Sequence, residues 1–266
     1  MKRLKSSYFG QTFTLFFTSS LLLLAILTIL VSYFFFQTYS EKITEECEST
    51  VENVGMTLQN VMAEYQEALQ TLEDSSNVQR FLSGETDTSM QKTIARQLYS
   101  IKNQMSTRAE LSIVELEKGV WSSTSTYNES IRIENCMNWG VFREAQDADD
   151  VIVYAVPKDL VLEDDVRIAF AKACRDDEGE LQGFLLVELS RTLISDIVTE
   201  CAGSYNTAVM MVNANGSIVY HSSGTDYEGR NKLEAYGEED ELKTASGKKT
   251  VWGNYACYYS ETLDLY

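Results

Sequence analysis

A run of 35 residues without a single charge, Ser6 to Ser40, limits what this chain can be more than any other feature. Its centre, FTLFFTSSLLLLAILTILVSYFFF (Phe13 to Phe36), is 24 residues long and almost wholly apolar. About 20 such residues cross a bilayer as a helix. The hydroxyls of Thr14, Thr18, Ser19, Ser20, Thr28 and Ser32 can bond back to helix carbonyls, so they do not forbid burial in lipid. A cleaved secretory signal would have a shorter apolar core and a small-residue cleavage site after it, and this stretch has neither. It reads as an uncleaved anchor. Lys2, Arg3 and Lys5 precede it and the first acid, Glu41, follows it. The positive-inside rule then predicts a cytoplasmic N-terminal tail (residues 1–12), a transmembrane helix (13–36) and an extracytoplasmic remainder beyond about residue 40 in the cell membrane.

That remainder is acidic. It holds all 40 Asp and Glu but only 19 of the 22 Lys and Arg. Phosphate contacts need cations, so no nucleic-acid binding is expected of this region. The same charge holds it off an anionic lipid surface. Cys47, Cys136, Cys174, Cys201 and Cys257 are scattered and form no CxxC, which suits buried thiols better than a zinc site. His221 is the sole histidine. No GxSxG, HExxH or phosphate-cradling glycine loop is present. No catalytic residue, cofactor or metal is therefore assigned, and the chain is read as a non-enzyme. Asp147, Asp149, Asp150, Asp164 and Asp165 read as solvated loop faces, since calcium needs roughly six converging oxygens.

After the anchor, Cys47, Val51, Val54, Leu58, Val61, Tyr65, Ala68 and Leu72 recur at alternating spacings of four and three. This predicts one long stalk helix over about 38–74, with Gly55 its one weak point. Such a row can pack on the chain's own domain, or form a homodimer seam, or divide between the two. DSSNVQRFLSGETD then predicts a short helix and a turn. TSMQKTIARQLYSIKNQM resumes with Met90, Ile94, Leu98, Ile101 and Met105 on one face, and Thr88 or Ser89 as its cap.

From residue 110 the period becomes two. ELSIVEL, EKG and VWSSTS read as a hairpin, and VIVYAV as a strand. VRIAFAKACR and LQGFLLVEL read as a second hairpin across DDEGE, leading into a helix capped by Ser190. TAVMMV, NANG and SIVYHS repeat the strand–turn–strand pattern, and TVWGNYACYY reads as one more strand. The terminal SETLDLY looks like a turn opening a further strand.

The anchor, the stalk, NVQRFLSG, NWGVFREA, CRDDEGELQGFLLVELS and VMMVNANGSIVYHS, in this order, resemble the double Cache (dCache) extracytoplasmic sensors of bacterial transmembrane receptors. The versions in Gram-positive sensor histidine kinases and membrane-bound transcriptional regulators are the most similar. The resemblance implies an α+β fold: a transmembrane helix continuing into a stalk helix, then two PAS-like antiparallel-sheet modules. It implies a stalk and second helix over 37–108, a membrane-distal module over 109–203 and a membrane-proximal module over 204–266. By the same resemblance the second module is incomplete, and a second membrane helix and an output domain would follow. The implied function is small-molecule sensing in the distal module, signalled through stalk helices in a homodimer. The rival reading is a membrane-anchored structural or protein-binding module without a small ligand.

A ligand site needs a concave apolar wall with a few oriented polar groups. Residues 121–154 offer the flat faces of Trp121, Tyr127, Trp139, Phe142 and Tyr154, with Arg132 and Arg143 able to clamp a carboxylate. Glu188, at the end of a strand, could accept from an ammonium group. Amino-acid-binding members of the resembled family pair an Arg for the carboxylate with an Asp for the amine. Trp139 matches their pocket Trp, the Arg position two before it is Met137, and the Asp position is Glu188. YNESIR (Tyr127 to Arg132) keeps a Tyr-x4-Arg spacing without the Trp-Tyr that should follow. The expected ligand is an amino acid, an amine or a carboxylate, and the expected site is Tyr127, Arg132, Trp139, Arg143, Tyr154 and Glu188. The alternative is that Trp139 and Phe142 are core.

Overall fold

The structure is a computed structural model. It describes residues 2–124, 140–155, 166–202, 208–213, 215–224, 226, 229, 249–252, 255–260 and 265. The chain divides into two compact units, Met1–Glu46 and Cys47–Tyr266. The opening helix, α1, runs over Lys2–Glu73. In the first unit every large apolar side chain from Phe13 to Phe36 is at least half exposed, the least being Leu30 at 50%. A helix apolar on all sides suits hydrocarbon better than water. Among the described residues it is the one helix long and apolar enough to cross a membrane. Four of the six hydroxyls bond back to helix carbonyls: Thr14 donates to Gly10 (2.8 Å), Thr18 to Thr14 (2.9 Å), Ser19 to Phe16 (3.0 Å) and Thr28 to Leu24 (2.8 Å).

In the second unit the four-three row of α1 turns inward. Val54, Leu58, Val61, Tyr65, Ala68 and Leu72 are each 6% exposed or less and join one core with the sheet. Of the two uses open to that row, packing on the chain's own domain is the one observed from Val54 onward. A dimer contact cannot use side chains already buried there. The Tyr65 ring meets Phe170 edge-on at 5.5 Å, and burial pushes its phenol well above the usual range. Lys172 donates to Glu73 at 2.5 Å, fixing the end of α1 on the sheet. The outward row of α1 (Asn53, Met56, Asn60, Ala63, Glu67 and Gln70) is exposed at the same four-three spacing.

Helices α2 (Ser76–Leu82) and α3 (Thr88–Lys102) follow. The cap of α3 is Asp87 rather than Thr88 or Ser89: its Oδ1 accepts from Met90 N at 2.8 Å. The helix therefore begins one residue earlier than a Thr88 cap would set it and two earlier than a Ser89 cap would. Met90, Ile94 and Leu98 are buried as the periodicity predicts.

Five antiparallel strands form the main sheet: β1 (Glu110–Glu115), β2 (Val120–Ser123), β3 (Ile152–Ala155), β4 (Val166–Arg175) and β5 (Leu181–Ser190). Their order is β2-β1-β5-β4-β3, so the long β4–β5 hairpin is central. In its turn, Asp176 Oδ1 accepts from the Glu178 and Glu180 amides, and Gly179 takes φ +85°. Both faces of β5 are covered, which explains its nearly continuous apolar run. Ile113, Ile168, Phe170, Leu185, Val187 and Leu189 join the core that holds the buried row of α1. Val114, Ala169, Ala171, Ala173, Phe184 and Leu186 meet a short helix, α4 (Gly140–Gln146), on the other face.

After β5 comes α5 (Arg191–Cys201), whose cap is Ser190 as predicted; Leu193 N donates to Ser190 Oγ at 3.3 Å. A further hairpin pairs β6 (Met210–Val212) with β7 (Ile218–His221). TVWGNYACYY is not one strand. It supplies two, β8 (Lys249–Trp252) and β9 (Tyr255–Tyr258), with Trp252 opposite Tyr255. A Gly-Asn pair between β-rich residues is a hairpin signal, which the single-strand reading passed over. The expected weak point, Gly55, has a positive role. A Cβ there would fall 2.9 Å from Tyr258 Cγ and nearer still to Cδ1 and Cε1, so only glycine admits this ring against α1. Tyr258 Oη donates to Gln59 Oε1 (3.0 Å), and Gln59 Nε2 donates to Ser260 Oγ (3.3 Å).

Candidate ligand-binding site

The sheet face under α4 can be read rung by rung, because paired residues in adjacent strands point the same way. One rung runs Tyr154, Ala169, Glu188, Glu110 through β3, β4, β5 and β1. Two of the expected site residues, Tyr154 and Glu188, thus share one row, two strands and about 10 Å apart at the backbone. Ala169 alone stands between them. The neighbouring rung is Ile152, Ala171, Leu186 and Ser112, and beyond it Ala173, Phe184, Val114 and Trp121.

Helix α4 packs over those two further rungs. Phe142 is fully buried, with its ring 4.7 Å from that of Phe184 and 6.1 Å from that of Trp121. The core alternative holds for Phe142. Gly140 starts α4 beside Tyr154. A Cβ on it would lie 3.0 Å from Tyr154 Cε2 and closer still to Cζ and Oη, so the missing side chain is what seats the phenol there. Thr124, Gly140, Ala155 and Val166, which flank residues 125–139 and 156–165, lie at this end of the sheet. Tyr127, Arg132 and Trp139 fall within 125–139, outside the described residues.

Glu188 is 1% exposed. A carboxylate this buried persists only with compensating polar contact. Its neighbour Glu110 is drawn elsewhere, accepting from Lys102 Nζ at 2.6 Å and from Thr124 Oγ1 at 2.7 Å, which offsets the like-charge pair. Arg143 is exposed on α4, while Val141, Phe142 and Ala145 take the sheet-facing side. The structure does not bring Arg143 to Tyr154 and Glu188. Among the described residues, the buried guanidinium near this end is Arg167, 3% exposed and not singled out in the sequence. It sits at a bulge, where Val166 pairs with Ser190 and Ile168 with Leu189. Two signals could have found these residues. An Arg stands second in a mainly apolar strand, and Ala169, Ala171 and Ala173 alternate along one face of it. Small residues in a row let a helix approach a sheet closely, as α4 does here. Chemically, this end of the sheet offers a buried carboxylate and a phenol wall across an alanine floor. Among the described residues it holds no histidine or thiol, and no group of acids, cysteines and histidines there could hold a metal ion.

Solved structures carry this architecture. The sensory domain of the Campylobacter jejuni chemoreceptor Tlp3, with isoleucine bound, matches at a TM-score of 0.55 and 14% identity, over 86% of this chain and 91% of that one. The ligand-binding domain of the Pseudomonas aeruginosa amino-acid chemoreceptor PctC, in complex with GABA, matches at 0.51 and 18%, over 75% and 83%. That of the Pseudomonas fluorescens chemoreceptor CtaA, in complex with L-valine, matches at 0.50 and 13%, over 75% and 82%. The fold is one that bacterial chemoreceptors use to bind ligands. At these identities the likeness is one of fold alone. No family model matches the chain, and no curated protein matches it in sequence.

Proposed function

We propose that the chain is the extracytoplasmic sensing part of a double Cache receptor, anchored by residues 13–36, and that it binds a small molecule carrying an ammonium group. The observation that carries this is the Tyr154–Ala169–Glu188 rung: a buried carboxylate and a phenol on one row of the sheet with only an alanine between them. A buried acid suits a cationic ligand because the paired charges are stronger where water is excluded. The Tlp3, PctC and CtaA complexes support the reading, since the ligands named for those proteins all carry an amine. Residues 109–203 form the ligand-binding module and 204–266 a second one. Tyr127, Arg132 and Trp139 complete the site from the segment that joins β2 to α4, with Arg132 facing a ligand carboxylate where there is one. The N-terminal tail is cytoplasmic, the receptor works as a homodimer, and its output would be a kinase, a helix-turn-helix regulator, a cyclase or a chemotaxis domain. A ligand shifts such a receptor only by its differential affinity for two states.

The test is a melting curve on the full chain in detergent with a panel of amino acids, amines, carboxylates and purines. A true ligand raises the melting temperature by mass action. Glu188→Gln should remove the response to amines while leaving any response to simple carboxylates, and Trp139→Ala should reduce both. A wild type indifferent to the whole panel contradicts the reading, as does an amine response untouched by Glu188→Gln.

A further inference from the structure

We infer that the side-chain amide of Asn213 is a joint that couples the β6–β7 hairpin to the strand carrying Tyr154. Asn213 lies just after β6, only 9% exposed, and uses both ends of its amide. Its Oδ1 accepts from Ser217 N at 2.9 Å, closing its own turn. Its Nδ2 donates at 2.9 Å to the carbonyl of Ala155, 58 residues away. The turn itself is also closed by backbone bonds, Asn213 N to the Ser217 carbonyl (3.0 Å) and Gly216 N to the Asn213 carbonyl (2.8 Å). The reach to Ala155 is therefore more than the turn requires.

What Asn213 holds is the strand most in need of holding. β3 is four residues long and, among the described strands, lies at the edge of the sheet, paired with β4. Its last residue, Ala155, follows Tyr154 directly. A hydrogen bond of this length tolerates only a few tenths of an ångström before it weakens, about the scale on which a wall residue adjusts to a ligand. The strand and the turn therefore move together or the bond breaks. From Asn213 the connection continues. Its backbone bridges to Leu265, Leu265 bridges to Ser260, and Ser260 accepts from Gln59 of α1. The joint thus links the candidate ligand face to α1, by contacts that are independent of the buried four-three row. Asn213 is a positioning residue and touches no ligand. Its role in sensing rests on the function proposed above, but its coupling of the two sheets does not.

The test is amide hydrogen exchange on the full chain in lipid nanodiscs, read by mass spectrometry. Asn213→Asp keeps the acceptor for Ser217 N and turns a second oxygen on the Ala155 carbonyl. Asn213→Ser keeps a short acceptor that cannot reach Ala155, and stands in if the Asp variant fails to fold. Gly216→Ala is the control: at φ +79° it strains the turn and leaves the amide in place. Without ligand, either Asn213 variant should speed exchange of the 152–155 amides about tenfold, as loss of one buried bond does. Gly216→Ala should speed only the turn. Exchange at 152–155 unchanged in the Asn213 variants, or equally raised by Gly216→Ala, overturns the joint. L-isoleucine and GABA serve as ligand probes. If either protects β5 in the wild type, it should also protect residues 210–212, and the Asn213 variants should lose only the second effect. Protection of 210–212 that survives them overturns the joint. If neither probe protects any part of the wild type, the ligand reading loses support while the ligand-free comparison still decides the joint.

Discussion

Replacing Gly55 by alanine is a perturbation whose sign, not just its size, depends on the structure. In the interior of a solvated helix, Gly→Ala stabilises by about 1 kcal/mol, because alanine loses less backbone entropy. Gly55 is not solvated. Its missing Cβ is the notch for the Tyr258 ring, which is 9% exposed and bonded to Gln59 one turn further along. A new methyl within 2.9 Å of three ring carbons must displace the ring. Overpacking of that kind costs about 1–3 kcal/mol. Losing the Tyr258–Gln59 bond adds about 1 kcal/mol. After the propensity gain is subtracted, Gly55→Ala should destabilise by about 1–3 kcal/mol. The assay is urea unfolding of the chain in detergent, followed by fluorescence of Trp121, Trp139 and Trp252, all in the second unit. In a Tyr258→Ala background the obstacle is gone, and Gly55→Ala should become neutral or stabilising. If Gly55→Ala stabilises the otherwise wild-type chain, Tyr258 does not lie against α1 and the reasoning fails.

Two further expectations follow from burial. Burial pushes the Cys174 thiol up to about 12, with the nearby Glu73 carboxylate adding to it, so a maleimide at pH 8 should leave it unmodified until urea unfolds the chain. Labelling of Cys174 under native conditions would contradict its place in the core. If the receptor dimerises through α1, disulfide crosslinking between chains should follow the outward row. Met56→Cys and Ala63→Cys should crosslink, while Val54→Cys and Val61→Cys should not; the reverse pattern would mean the inward row is free.

Period and punctuation made most of the fold legible. The charge-free run marked α1, the four-three row marked its buried face, and alternation with Lys-Gly, Glu-Gly and Asn-Gly turns marked the hairpins. What escaped was decided by tertiary approach. Gly55 reads as a flaw in a helix until Tyr258 is seen against it, and nothing within five residues of Gly55 announces a partner some 200 positions away. The β8–β9 pair was legible as Gly-Asn but was masked by the β-rich residues on both sides of it. For the site, composition pointed to aromatic and charged residues but not to which face each takes. Phe142 and Arg143 are adjacent, and the turn of α4 sends one into the core and the other to solvent. Glu188 could be placed at a strand end from sequence. That Ala169 separates it from Tyr154 depends on register across three strands, which the bulge at Val166–Ile168 shifts.

The central claim is that this sheet end binds an ammonium through Glu188. The most direct measurement is calorimetric titration of the full chain in nanodiscs with the best amine from the panel and with its analogue lacking only the amine. The account predicts that the amine binds and that the analogue binds about a hundredfold more weakly, because a buried carboxylate is then left facing an apolar group. Glu188→Gln should narrow that gap to within about tenfold. Equal binding of the two compounds, or a gap unchanged in Glu188→Gln, would place recognition elsewhere in the chain.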